Sequence, residues 1–215
     1  MTTLDATTDL LHERVVPPRT FALVGLGGSW IAVALAETVL GGLDALPSAA
    51  ELAAGTTRVT VAGMLHLLGG VLLAVGLVGT AGSAWTTVLG RIGLLSGVVL
   101  SVGLGGFGMF HLMALELPDE QLRAFDGFGP WGLPILTVLF GMTLGLPLLV
   151  AGLARSGHVP WWPLGIVVAG SLLHFFGNTG WSEPLSHGVF ALGLLSAALF
   201  YGPAGARSRA PRQIA

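Results

Sequence analysis

Six apolar runs, about Phe21–Gly42, Val59–Thr80, Ile92–Leu115, Trp131–Ala154, Trp161–Gly177 and Pro184–Tyr201, hold among them one Glu and no Asp, Lys or Arg. The hydrocarbon core of a bilayer is about 30 Å thick and takes roughly 20 apolar residues per helix. Backbone inside that core must satisfy its own hydrogen bonds, which a helix does within a single segment. The runs therefore predict an all-α, polytopic membrane protein, a bundle of six transmembrane helices. Only 9% of the 215 residues are charged, against about a quarter in soluble domains, and the mean hydropathy of +0.83 agrees. The fifth run is the weakest, opened by Trp161-Trp162-Pro163, yet removing it would put the C-terminal Arg cluster on the other side.

Residues 1–20 carry Asp5, Asp9, His12, Glu13, Arg14 and Arg19 without an apolar core before Phe21, so they read as a cytoplasmic tail followed by an uncleaved first span. The transmembrane domain is expected over 21–202, with a basic cytoplasmic tail over 203–215. With both termini inside, Arg14, Arg19, Arg91, Arg155, Arg207, Arg209 and Arg212 fall on the cytoplasmic side and only Arg58 and Arg123 outside. That distribution follows the positive-inside rule and points to the cytoplasmic (inner) membrane of a cell. The acidic segment Glu116–Asp126, with Asp44, Glu51 and Glu183, then faces out.

What is missing excludes several classes. All nine cationic residues are Arg, so no Lys is present to form a Schiff base, and a retinal protein is ruled out. The net charge of −2 supplies no basic surface for nucleic acid. The absence of Cys removes disulfides, thiolate metal sites, Fe–S clusters and covalently attached haem. The many small residues, as in Gly25-Leu26-Gly27-Gly28-Ser29, Gly69-Gly70 and Gly103-Leu104-Gly105-Gly106, are the means by which membrane helices approach closely. Gly103-Leu104-Gly105 is not a nucleotide fingerprint, because no strand precedes it.

Ionisable groups inside spans are costly and mark functional sites. There are five: Glu37, His66, His111, His174 and His187. At 1.5 Å per residue, Glu37 and His111 lie about 6 Å from the ends of their spans, His66 about 10 Å, and His174 and His187 about 5 Å. Because odd spans run outward and even spans inward, all five fall in the outer leaflet. The helical neighbours of His66 are Ala62, Gly63, Gly69 and Gly70, those of His174 include Gly170 and Ser171, and those of His111 include Gly108 and Ala114. These small-residue faces turn the three His toward the bundle, whereas His187, in the first turn after Ser182-Glu183-Pro184, faces either the bundle or interfacial water. Trp30 shares the face of Glu37 two turns deeper, where it would form a cavity floor.

Neutral imidazoles at one depth on several helices are how bundles hold haem iron and transition metals. The sequence expectation is therefore a redox protein that binds haem b, or a copper, iron or zinc ion, through His66, His111, His174 and His187, with Glu37 handling protons as the catalytic group. Met64, Met109 and Met113 lie in the same outer third and would favour copper, although apolar filling explains them as well. A second reading is a proton-coupled carrier of a small molecule or metal, using Glu37 and the His cluster, with Pro134 and Pro147 breaking span four. A third is a non-catalytic accessory subunit. The partners expected are the lipid bilayer, a hydrophobic or quinone-like small molecule, and further copies or subunits of a larger membrane complex. His12 and His158, on the cytoplasmic side, read as solvated.

Overall fold

A computed structural model describes residues 18–41, 54–118, 120–121, 132–176 and 182–202. Most of the N-terminal tail, the C-terminal tail 203–215 and most of the acidic segment 116–126 lie outside the described residues. Among the described residues the structure is helical, without strands, and its six helices match the six apolar runs.

Helix α1 comprises Pro18–Ala22, a π-helical turn Leu23–Gly27 and Gly28–Leu40. It is followed by α2, Thr56–Ala84, and α3, Val88–Ala114. Helix α4 comprises Gly132–Phe140, a second π turn Gly141–Gly145 and Leu146–Arg155. Helices α5 and α6 are Trp162–Phe176 and Ser182–Leu199. Four helices are long and apolar enough to cross a membrane: Arg19–Leu40, Thr56–Ala84, Val88–Ala114 and Ile135–Arg155. The apolar stretches Trp162–Phe176 and Pro184–Leu199 are shorter, and 15 residues of α5 rise only about 22 Å.

Consecutive helices pack side by side and α6 returns against α1, so the six form a closed ring. Glycines set the closest crossings. A Cβ on Gly25 would lie 2.0 Å from the backbone nitrogen of Gly76, which brings α1 and α2 into backbone contact. Gly63 and Gly108 do the same for α2 and α3, and Gly90 with Gly152 for α3 and α4. Outward surfaces carry Val61, Val71, Val78, Val98 and Val102, as a lipid-facing surface requires. The helices are therefore packed by fit rather than by a strong amphipathic drive.

The π turn in α4 has a local cause. Pro147 has no N–H, and its ring would collide with the carbonyl four residues before it, so the preceding turn widens. Within that turn the Thr143 hydroxyl donates to the Leu139 carbonyl at 2.6 Å. In α1 the π turn coincides with the tight crossing at Gly25, and Ser29 donates to the Leu26 carbonyl at 2.9 Å.

The end of the ring where α2 meets the close of α6 is tied by polar contacts. The Ser83 and Tyr201 hydroxyls lie 2.7 Å apart, joining α2 to the end of α6, and Arg19 donates to the Leu199 carbonyl at 3.1 Å. Helix α4 ends at Gly157, in the left-handed region at φ 78°, which turns His158 back so that its N–H meets the Leu153 carbonyl. His158 is consequently not the solvated residue expected. It is half-buried, pairs with the Ser156 hydroxyl at 2.9 Å and stacks on Tyr201 at 5.8 Å. Burial lowers its pKa, against a smaller upward pull from the Ser156 contact.

Candidate functional site

At the other end of the ring, a cavity of about 140 Å³, continuous with the outside, is lined by residues from all six helices. Helix α1 contributes Trp30, Val33 and Glu37, α2 contributes His66, and α3 contributes Leu104 and Phe107. Helix α4 supplies an apolar wall that includes Val138 and Met142, and α5 and α6 supply His174 and His187. Each polar residue stands within three turns of its helix end. Glu37 lies one turn before Gly41, whose left-handed conformation (φ 63°) ends α1 and whose N–H caps the Glu37 carbonyl at 3.1 Å.

The polar wall is built around His66, which is 1% exposed. Its Nδ1 lies 3.0 Å from the Ala62 carbonyl one turn back, and its Nε2 lies 3.0 Å from Glu37 Oε1. A carbonyl only accepts, so Nδ1 carries the hydrogen. The Nε2 of neutral imidazole in that tautomer is a lone pair, as is every site on a carboxylate oxygen. Their contact therefore needs one shared proton, held as imidazolium and carboxylate or as imidazole and carboxylic acid. In either form the pair is neutral overall. Glu37 keeps 16% of its side chain accessible and lies within electrostatic reach of His66, His111, His174 and His187.

His111 is buried but stands behind the cavity wall rather than on it. Its ring stacks on His66 with centroids 5.5 Å apart and planes 9° apart, and its Nδ1 meets the Phe107 carbonyl at 2.9 Å. Phe107 sets its edge against both imidazoles, at 5.0 and 4.6 Å. This stack depends on the Gly63–Gly108 crossing, since each glycine lies three residues before one of the two His.

The other polar wall has different chemistry. His187 is buried and faces the bundle, between His174 at 5.4 Å and Trp30 at 6.3 Å, which settles the orientation left open by sequence. Trp30 is wholly buried on Phe190 and floors the cavity. Three buried ring nitrogens, Trp30 Nε1, His174 Nδ1 and His187 Nδ1, have no protein partner. Buried polar atoms are normally paired, so three such atoms on side chains lining one cavity mark a place where a ligand or water completes the bonding.

The expected metal or haem centre fares less well on geometry. Among the described residues, no three His or acidic side chains come together as a ligand set. The Nε2 of His66 is engaged by Glu37, and the Nδ1 of His111 by the Phe107 carbonyl. Helices α2 and α3 touch backbone to backbone beside that pair, which leaves no slot for a macrocycle between them. Among the described residues, buried imidazole nitrogens without a hydrogen-bond partner remain on His174 and His187. Met64, Met109 and Met113 point outward, at 60%, 48% and 49% exposure, and the thioether at the cavity is that of Met142, which the sequence reading did not single out.

The chain matches no family model, no curated protein and no solved structure. What defines it is the combination of an all-helical ring with four membrane-length helices and a His/Glu cavity at one end.

Proposed function

We propose that the protein is a proton-coupled carrier of a small molecule in the cytoplasmic membrane, with both termini inside and the cavity opening outside. The observation that carries this reading is the Glu37–His66 contact at 3.0 Å, which requires one proton, beside a cavity walled by all six helices. A group that holds a single proton inside a binding cavity links occupancy to protonation. The polar contacts of Ser83, Tyr201, His158 and Arg19 close the opposite end, as alternating access requires of a carrier open to one side. The π turns in α1 and α4 supply helices with a second packing register next to the cavity. A ring of helices that must rock against one another is well served by glycine crossings, which present no side chains to unlock.

The test uses proteoliposomes loaded with a pH-sensitive dye and challenged in turn with small organic cations, neutral molecules and anions. At least one class should change the internal pH with wild-type protein and none with Glu37→Gln. Equal responses from both proteins, or none from either, refute the coupling. Haem b or a transition metal at His174 and His187, in a redox protein, is the second reading, favoured by their unpartnered nitrogens. A Soret band that shifts with dithionite, or a stoichiometric metal in the purified protein, would establish it in place of the carrier. A protein with neither activity nor bound group would be the accessory subunit.

A further inference from the structure

Resting on the carrier reading, we infer that the substrate is a monovalent organic ammonium ion bearing an apolar or aromatic group, exchanged one for one with the proton of the Glu37–His66 pair. The argument begins with charge. The pair is neutral with its proton in place, and among the described residues Glu37 is the one acidic residue that lines the cavity and no Arg does. A buried site among apolar walls tolerates little uncompensated charge. An anion would therefore meet no fixed positive partner and would need an additional proton brought with it. A neutral molecule would leave the shared proton where it is, and no coupling would result.

An ammonium ion changes the balance in one specific way. When its N–H takes Glu37 Oε1, the pair can no longer hold its proton without leaving the cavity positively charged. The proton leaves to water at the cavity mouth, Glu37 remains a carboxylate, and His66 remains neutral with its Nδ1–H on the Ala62 carbonyl. One positive charge enters and one departs, so the cavity is neutral before and after, with no other bond made or broken. The titratable groups that face Glu37 are His66, His111, His174 and His187.

The remaining walls suit such an ion. His174 Nδ1 and His187 Nδ1 are buried, unpartnered and able to accept its other N–H bonds. Phe107 and Trp30 bring aromatic rings to the cavity, and ring faces attract cations. Val33, Leu104, Val138 and Met142 offer an apolar surface for the rest of the molecule. A cavity of about 140 Å³ restricts the occupant to a small molecule, on the scale of one aromatic ring with a short substituent.

The test uses three probes of matched shape: benzylammonium, benzyl alcohol and benzoate. Each is titrated into the full-length protein in weakly buffered detergent solution at neutral pH, with binding followed by calorimetry and proton release by an indicator dye. Benzylammonium should bind and release about one proton per site. Glu37→Gln should abolish that release and weaken binding at least tenfold, and His187→Phe, which keeps the packing against Trp30, should weaken binding while leaving the release intact. Benzoate binding with proton uptake overturns the substrate class but leaves a proton-linked site, whereas binding of benzyl alcohol alone overturns both the substrate class and the coupling. Benzylammonium binding without proton release overturns the coupling itself. Failure of all three probes to bind overturns the inference.

Discussion

Gly108→Ala should loosen the candidate site from behind, and its size follows from the helix crossing. A Cβ at Gly108 would lie 2.6 Å from the Gly63 carbonyl oxygen and 2.7 Å from the Leu67 nitrogen, both backbone atoms that cannot swing aside. Ordinary contact begins near 3.4 Å, so α2 and α3 must part by about 0.8 Å where they hold His66 on His111. Overpacking of this kind costs about 1–3 kcal/mol. The better helix propensity of Ala returns about 1 kcal/mol, leaving a net loss of about 0–2 kcal/mol. Gly106→Ala is the control, two residues away on the same helix, where an added Cβ meets nothing within 4 Å. Equilibrium unfolding in mixed micelles should show Gly106→Ala at or above wild type and Gly108→Ala below it. Equal stability of the two variants would mean that α2 and α3 do not cross at Gly63 and Gly108, and the account of the imidazole stack would fall with it.

Other substitutions separate the bonding at the two ends. Glu37→Gln should fold with stability within about 1 kcal/mol of wild type, because the amide can donate to His66 Nε2, whereas Glu37→Leu orphans that nitrogen and should lose about 1–3 kcal/mol in the same unfolding assay. Infrared spectra across a pH titration should show one carboxyl band fewer in Glu37→Gln than in wild type. Tyr201→Phe removes the hydroxyl bound to Ser83 and should cost about 1 kcal/mol. His158 has a folded-state pKa below its unfolded value of about 6.5, so the unfolded chain binds its proton first as pH falls. Its stability contribution is complete above pH 6.5 and is lost as the pH drops through the folded value; His158→Gln should flatten that part of the stability profile.

Helix number and the depth of the ionisable residues were legible because both depend only on where apolar runs begin and end. Parity along the chain was enough to bring Glu37, His66, His111, His174 and His187 to one end. Helical phase also located Trp30 beneath Glu37, and it explains why Met109 and Met113, each two residues from His111, face the opposite way. Phase could not reveal the α4 wall, because the π turn at Gly141–Gly145 breaks the 3.6-residue count and apolar residues such as Val138 and Met142 carry no distinguishing chemistry. His158 was misplaced for another reason: its partner Tyr201 is remote in sequence and reaches it only when α6 closes the ring. The pairing of His66 with Glu37, and the tautomer it implies, likewise depend on a contact between residues on different helices.

The widened turn in α4 also has a consequence for how the chain tolerates changes in length. A π turn is an α-helix carrying one additional residue, and each residue of an α-helix advances the face by about 100°. Removing one residue within Gly141–Gly145 would restore a regular helix, provided Pro147 could still be accommodated, and because the wide turn already absorbs the additional residue, Val138 and Leu139 would keep their facing relative to Leu149 and Leu153. A single-codon deletion, ordinarily ruinous inside a packed helix, would here alter the cavity wall only around Met142 while both flanking halves of α4 kept their seats. Gain or loss of that codon is thus a route by which chains of this architecture could come to accept occupants of different shape.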